Sequence, residues 1–168
     1  RELFIEWRER NYLITFHPET QDPERVYDQI ESLLKSLDTQ NDSSLIFTRA
    51  NTDEGGQVIN QKIAEFVVQR ENAYEFASLG TQKYLSLMQE VDAVIGNSSS
   101  GIIEAPSLGV ATLNIGSRQE GRVRADSVVD CPADTVSIRN ALVKINTQEF
   151  RENLKKIHNP YFREAKTY

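Results

Sequence analysis

Apolar residues along this chain fall in short runs that alternate with longer amphipathic stretches. Tyr12 to Phe16 is the first run, and its abrupt end at His17 and Pro18 predicts a strand followed by a loop. From Pro23 to Leu37 the period changes, and Val26, Ile30, Leu33, Leu34 and Leu37 fall on one face of a helix. Ser44 to Thr48 predicts the next strand. The loop Arg49 to Gly56 then leads to a helix whose stripe is Val58, Ile59, Ile63, Phe66 and Val67. The unit repeats as a strand at Tyr74 to Ala77, a helix at Thr81 to Glu90 with Tyr84, Leu85 and Met88 inward, and a strand at Ala93 to Ile95. Ala111 to Ile115 and Ser127 to Asp130 read as further strands, and Asp134 to Ile145 as a helix with Asp134 as its N-cap.

Strands separated by single helices predict a mostly parallel sheet with right-handed crossovers and helices on both faces, a Rossmann-like three-layer α/β/α domain. In open α/β sheets, ligands sit beyond the carboxyl ends of the strands, near the switch in strand order. His17, Asn51, Ser98 to Ser100 and the loop Gly116 to Gly121 all follow predicted strands, so they are expected to converge on one edge.

The segment Ile95 to Gly109, IGNSSSGIIEAPSLG, carries the most specific chemistry. Gly96 and Asn97 make a turn, and Ser98, Ser99 and Ser100 stand where a helix through Leu108 would begin. Free N–H groups, small side chains and hydroxyl donors suit a phosphate there. Glu104, one turn on, is placed to accept hydrogen bonds from both hydroxyls of a ribose. The same letters also describe a capped helix with solvated serines and a surface glutamate.

The 168 residues, 39% hydrophobic and 26% charged, suffice for one sizeable core. A net charge of -6 argues against a broad nucleic-acid surface and makes any phosphate recognition local. No apolar run approaches the length of a membrane span, and no start resembles a secretory signal. Cys131 has no partner for an internal disulfide, and His17 and His158 alone make no metal cluster, so a cytoplasmic address and no cofactor are expected.

Three motifs in order, TFHPET at Thr15 to Thr20, GNSSSGIIEAPSLG at Gly96 to Gly109 and NIGSRQEGR at Asn114 to Arg122, resemble the UDP-N-acetylglucosamine 2-epimerases. The resemblance covers about Tyr12 to Asn146 and is to the C-terminal half of a GT-B enzyme, whose two Rossmann-like domains face each other across a cleft. His17-Pro18 looks like the hydrolysing branch, since the other branch usually carries His-Arg-Arg. The resemblance implies a UDP diphosphate on Ser98 and Ser99, with Ser100 and Gly101 in the same turn, and the ribose on Glu104. It implies that uracil is read by backbone near Leu79 and by Tyr84, although helical spacing alone also makes Tyr84 a core aromatic. Arg118 is a further ligand candidate, Arg122 a weaker one. Asn51 and Asp53 match a loop that faces the nucleotide in relatives, and an Asx-capped turn explains them as well.

His17 is the residue here suited to chemistry, because a strand-terminal imidazole can pass a proton or meet a forming charge. The implied reaction takes UDP-N-acetylglucosamine and water to N-acetylmannosamine and UDP, as in sialic-acid-type sugar biosynthesis, with the acid/base carboxylates mainly on an N-terminal Rossmann-like domain. The expected partners are therefore UDP, a UDP-N-acetylhexosamine and that domain, with no nucleic acid or membrane and an oligomer possible for a longer parent. Residues 1–10 read as an interdomain helix or linker containing Trp7, 11–158 as the UDP-binding domain, and 159–168 as a tail that departs from the family's Asn-Pro-Tyr-Gly. A GT-B glycosyltransferase donor half and a non-catalytic nucleotide-sugar module remain alternatives on the residues alone.

Overall fold

A computed structural model of the chain describes residues 4–50 and 55–161. Asn51 and Asp53, the first three residues and the tail beyond Tyr161 lie outside the described residues. Six strands, β1 (Arg10–Thr15), β2 (Ser43–Thr48), β3 (Ala73–Phe76), β4 (Ala93–Gly96), β5 (Ala111–Ile115) and β6 (Val128–Cys131), form one sheet in the order β3-β2-β1-β4-β5-β6. Every pairing is parallel, with Tyr12 opposite Ala93 and Thr15 opposite Gly96 where β1 meets β4. The strand order reverses at that pair, which places the crevice for a ligand between the loops after β1 and β4.

Alternation along the strands divides the core in two. Tyr12 and Ile14 of β1 pack in a large cluster with α1 (Pro23–Leu37), α2 (Gly56–Val68) and α5 (Thr135–Ile145), whereas Leu13 packs in a smaller cluster with α3 (Gly80–Glu90) on the opposite face. The α1 stripe of Val26, Ile30, Leu33, Leu34 and Leu37 is buried as the period predicts. Asp22 caps α1 by accepting from Glu24 N at 3.1 Å, ahead of a proline at the first helical position. Asp134 caps α5 by accepting from Ser137 N at 2.8 Å, as expected. At the other end of α5, Asn146 Nδ2 donates to the Tyr12 hydroxyl at 2.7 Å, tying the helix to the sheet.

Three local features differ from the periodicity. The helix expected from Ser98 to Leu108 is only α4 (Ser99–Ile103), followed by a 3₁₀ turn over Ala105–Leu108. Pro106 explains the break, because it lacks the N–H that would bond to Ile102 and its ring disfavours helical geometry at Ala105. In α3 the fully buried residues are Leu87 and Met88, while Tyr84 and Leu85 are half-buried at the helix edge. A short helix, α6 (Gln148–Asn153), follows α5; its QEFREN sequence has no apolar stripe to reveal it.

Gly96 ends β4 at φ +135°, and a Cβ there would collide with the backbone carbonyl of Thr15. Close approach of β1 and β4 at the crevice therefore requires glycine. Gly109 also has positive φ, +69°, but a Cβ would meet nothing within 4 Å. Gly96→Ala should cost about 3 kcal/mol in chemical denaturation, from strain and clash together, and Gly109→Ala only about 1 kcal/mol. Equal losses would mean that the β1–β4 approach is not the constraint described here.

Candidate functional site

The loops after β1, β4 and β5 are joined through Asn97, whose side chain is fully buried. His17 N donates to Asn97 Oδ1 and Asn97 Nδ2 donates to His17 O, both at 2.8 Å. The carboxamide thus pairs with both backbone groups of one residue as a neighbouring strand would. Asn97 N donates to Thr15 O at 3.1 Å, and Asn97 O accepts from Arg118 Nη1 at 3.0 Å and Gln119 Nε2 at 2.9 Å. Glu19 completes the junction by accepting from the backbone N–H groups of Ser117 and Arg118, each at 3.0 Å. Gly116 at φ +82° opens that turn, and a Cβ on it would strike the Glu19 carboxylate.

Ser98 is the N-cap of α4 and accepts from Ser100 N at 3.3 Å. Ser98, Ser99 and Ser100 are all half-buried, so their hydroxyls and backbone remain reachable from the crevice. Gly101 is turned inward: its N–H donates to Ser98 O at 3.3 Å, and a Cβ would lie 2.7 Å from Thr112 Cγ2. Its smallness lets the serine turn pack on β5. A helix of five residues adds little dipole, so any anion at the turn would be met by individual N–H and O–H donors rather than by a helix macrodipole.

Beside the serine turn lies a cavity of about 610 Å³ between the ends of β2 and β3 and the start of α3. Leu79, Gly80, Tyr84, Arg49, Ser100 and Glu104 are among its walls. Leu79 is the N-cap of α3 without a side-chain cap, so the first N–H groups of that helix are left for another acceptor. Tyr84 Oη lies 3.1 Å from Ser100 Oγ, which links the cavity to the turn.

Two polar atoms in this region are buried without a hydrogen-bond partner among the described residues, His17 Nδ1 and Glu104 Oε2. Burial pushes the Glu104 carboxyl above its ordinary range, against a smaller opposing effect of its own backbone N–H. Burial, and secondarily the Arg118 charge, push the His17 imidazole below its ordinary value, so it is neutral at neutral pH. Cys131, buried at the end of β6, has its thiol pushed up to about 12 by burial and is no nucleophile. No group of metal-ligating side chains occurs among the described residues, and no helix there is long and apolar enough to cross a membrane.

The expected convergence is therefore present for His17, the serines and the loop from Gly116, whereas Asn51 cannot be placed. Arg118 is exposed and engages Asn97 O, and Arg122 lies exposed in the same loop. Sequence reasoning missed Asn97, Glu19, Gln119 and Arg49. Asn97 stood within the quoted motif, but its partners lie up to 80 residues away. Arg49 opens the loop after β2, and its pairing with Glu75 at 3.3 Å has no local sequence signal.

The sequence model of the family described as UDP-N-acetylglucosamine 2-epimerase matches residues 3–166. The chain is 44% identical over 143 residues to the GDP/UDP-N,N'-diacetylbacillosamine 2-epimerase (hydrolyzing) of Campylobacter jejuni, covering 84% of this chain and 37% of the relative. It is 38% identical over 156 residues to the polysialic acid biosynthesis protein P7 of Escherichia coli, covering 92% and 40%. The chain thus spans about two fifths of the length of these curated relatives. The crystal structure of the UDP-GlcNAc 2-epimerase from Neisseria meningitidis bound to UDP-GlcNAc superposes with a TM-score of 0.71 at 20% identity, over 94% of this chain and 41% of that one. That likeness is one of fold, the Rossmann-like α/β domain of a GT-B arrangement.

The unpartnered Glu104 oxygen gives a pH test of this geometry. Because its folded pKa is raised, Glu104 contributes stability that is fully present below the ordinary carboxylate pKa and lost as pH rises through the raised value. Urea melts from acid toward neutral pH should show this decline in the native chain, relative to Glu104→Gln. Parallel pH profiles for the two would contradict a desolvated carboxyl. On the identity, the coverage and the family match, the chain belongs to the UDP-N-acetylglucosamine 2-epimerase family.

Proposed function

We propose that this chain is the UDP-binding half of a hydrolysing nucleotide-sugar 2-epimerase. The observation that carries the reading is Glu104 Oε2, a buried carboxylate oxygen without a partner at the wall of the cavity, next to a serine turn rich in donors. A desolvated carboxylate calls for donors, and the two hydroxyls of a ribose supply them. Ser98 and Ser99 then face the diphosphate, while uracil occupies the cavity against Tyr84 and the free N–H groups after Leu79. The hydrolysing branch is supported by His17-Pro18 and by the activity for which the Campylobacter relative is named.

In this reading, the C2 proton of the sugar is removed and its electron pair forms the C1–C2 double bond. The C1–O bond breaks in the anti sense, and its electrons leave on the β-phosphate oxygen of UDP. Water then adds across the 2-acetamidoglycal, hydroxyl at C1 and proton at C2, on the face that inverts C2. The serine turn stabilises charge that grows on UDP as the bond breaks. His17, neutral and half-buried with its Nδ1 enclosed, is placed to hold or pass a proton on the crevice side. The carboxylate acid and base belong to an N-terminal Rossmann-like partner domain, and no cofactor enters. The sugar is N-acetylglucosamine or an N,N'-diacetyl sugar of the kind named in the Campylobacter relative. A cytoplasmic site, where nucleotide sugars are made, and an oligomeric parent fit the same reading. The family match favours the epimerase over a glycosyltransferase donor half or a free-standing sensor.

Removing both outward hydroxyls in Ser98→Ala/Ser99→Ala should weaken UDP about tenfold while leaving uridine nearly unchanged. Titration calorimetry with both ligands decides this, and equal losses would count against the phosphate assignment. For the ribose, Glu104→Ala should abolish the native chain's preference for UDP over its 2′,3′-dideoxy analogue. A native chain that already ignores the missing hydroxyls would remove Glu104 from the ribose site.

A further inference from the structure

Five hydroxyls run in an unbroken line from the sheet to the serine turn, with Thr48 Oγ1 2.6 Å from Thr15 Oγ1, Thr15 Oγ1 3.2 Å from Tyr84 Oη, Tyr84 Oη 3.1 Å from Ser100 Oγ and Ser100 Oγ 2.9 Å from Ser98 Oγ. We propose that this line is a polarised hydrogen-bond relay that aims the Ser98 hydrogen at the diphosphate, and that Thr15, which meets no ligand, is a positioning residue for phosphate binding. The inference rests on the diphosphate reading of the serine turn.

Each hydroxyl has a single hydrogen, so a hydroxyl that donates along one bond must accept along the other. There are four bonds within the line and five hydrogens to place. If Thr48 donates to Thr15, Thr15 to Tyr84, Tyr84 to Ser100 and Ser100 to Ser98, the spare hydrogen is that of Ser98. One lone pair of Ser98 Oγ already accepts from Ser100 N at 3.3 Å, and the other then accepts the Ser100 hydroxyl. With both lone pairs filled, Ser98 presents only its hydrogen to the crevice. If Ser98 instead donates back to Ser100, the spare hydrogen lies on one of the other four hydroxyls, and an anion at the turn meets the remaining Ser98 lone pair. A phosphate oxygen therefore selects the first direction along the whole line, and aligned bonds strengthen one another.

The inner end of the line is built to persist. Thr15 and Thr48 are 6% and 7% exposed, on the ends of adjacent strands in register with each other. Neither hydroxyl has another side-chain partner than those in the line. The relay also passes through Tyr84, a wall of the cavity, so the same chain of hydroxyls connects the place proposed for the base with the place proposed for the phosphates.

The test is titration of the full 168-residue chain with UDP and with uridine, for the native protein, Thr15→Val and Thr15→Ser. Valine keeps the shape of threonine and cuts the line; serine restores the hydroxyl. Thr15→Val should weaken UDP about fivefold and leave uridine unchanged, and Thr15→Ser should recover the loss. Should Thr15→Val fail to fold because the Thr48 hydroxyl is left unpaired, Thr15→Val/Thr48→Val removes both inner hydroxyls together and should show the same selective loss. An unchanged ratio of UDP to uridine affinity in a folded valine variant overturns the relay, as does an equal loss of both ligands, which marks a structural role. A native chain that binds uridine as tightly as UDP instead overturns the diphosphate reading itself, and the relay with it.

Discussion

The pairing of the Asn97 carboxamide with the backbone of His17 is the contact on which the site depends. It lies where the strand order reverses, and it replaces the ladder that β1 and β4 stop making after Thr15 and Gly96. Without it, the N–H and C=O of His17, partly buried, would lose their partner, at a cost of up to about 1–3 kcal/mol for each group. With it, the imidazole on one loop and the serines on the other are held in fixed register. Gly96 permits the approach and Asn97 fastens it. Through its carbonyl, Asn97 also gathers Arg118 and Gln119 from the loop after β5.

Glu19 extends the same logic. The N–H groups of Ser117 and Arg118 form a small anion nest, and an internal carboxylate occupies it. Arg118 is thereby committed to shaping the crevice and setting the charge beside His17, whose imidazole it helps keep neutral. In the serine turn, in contrast, the Ser98 and Ser100 hydroxyls bond to each other and to the hydroxyls behind them in one line, and among the described residues no hydrogen bond engages the Ser99 hydroxyl. One rim of the crevice is closed upon itself and the other is open. This asymmetry fits a ligand that enters along the α3 and α4 side.

The fold was largely legible because its elements are governed by local periodicity. The stripe of α1, the Asp134 cap and the run Ala111 to Ile115 each announce their structure within a dozen residues. The serine turn was legible for the same reason. What escaped depends on distant partners or on competing rules. Asn97 and Glu19 join residues 80 to 99 positions apart, which no local pattern encodes. The overlong α4 came from following the apolar spacing past Pro106, where backbone chemistry prevails over periodicity. Tyr84 has helical spacing suited to a core, yet it lines the cavity and its hydroxyl reaches Thr15 and Ser100.

On the proposed reading, this domain carries a preformed site for a uridine diphosphate at the β1–β4 switch point. Calorimetric titration of the chain with UDP, with ADP as control at the same salt, tests it most directly. Saturable binding of UDP that exceeds that of ADP is expected if the cavity beside Leu79 and Tyr84 reads the base while the serine turn takes the phosphates. ADP binding as tightly as UDP, or no saturable heat with either, would contradict it.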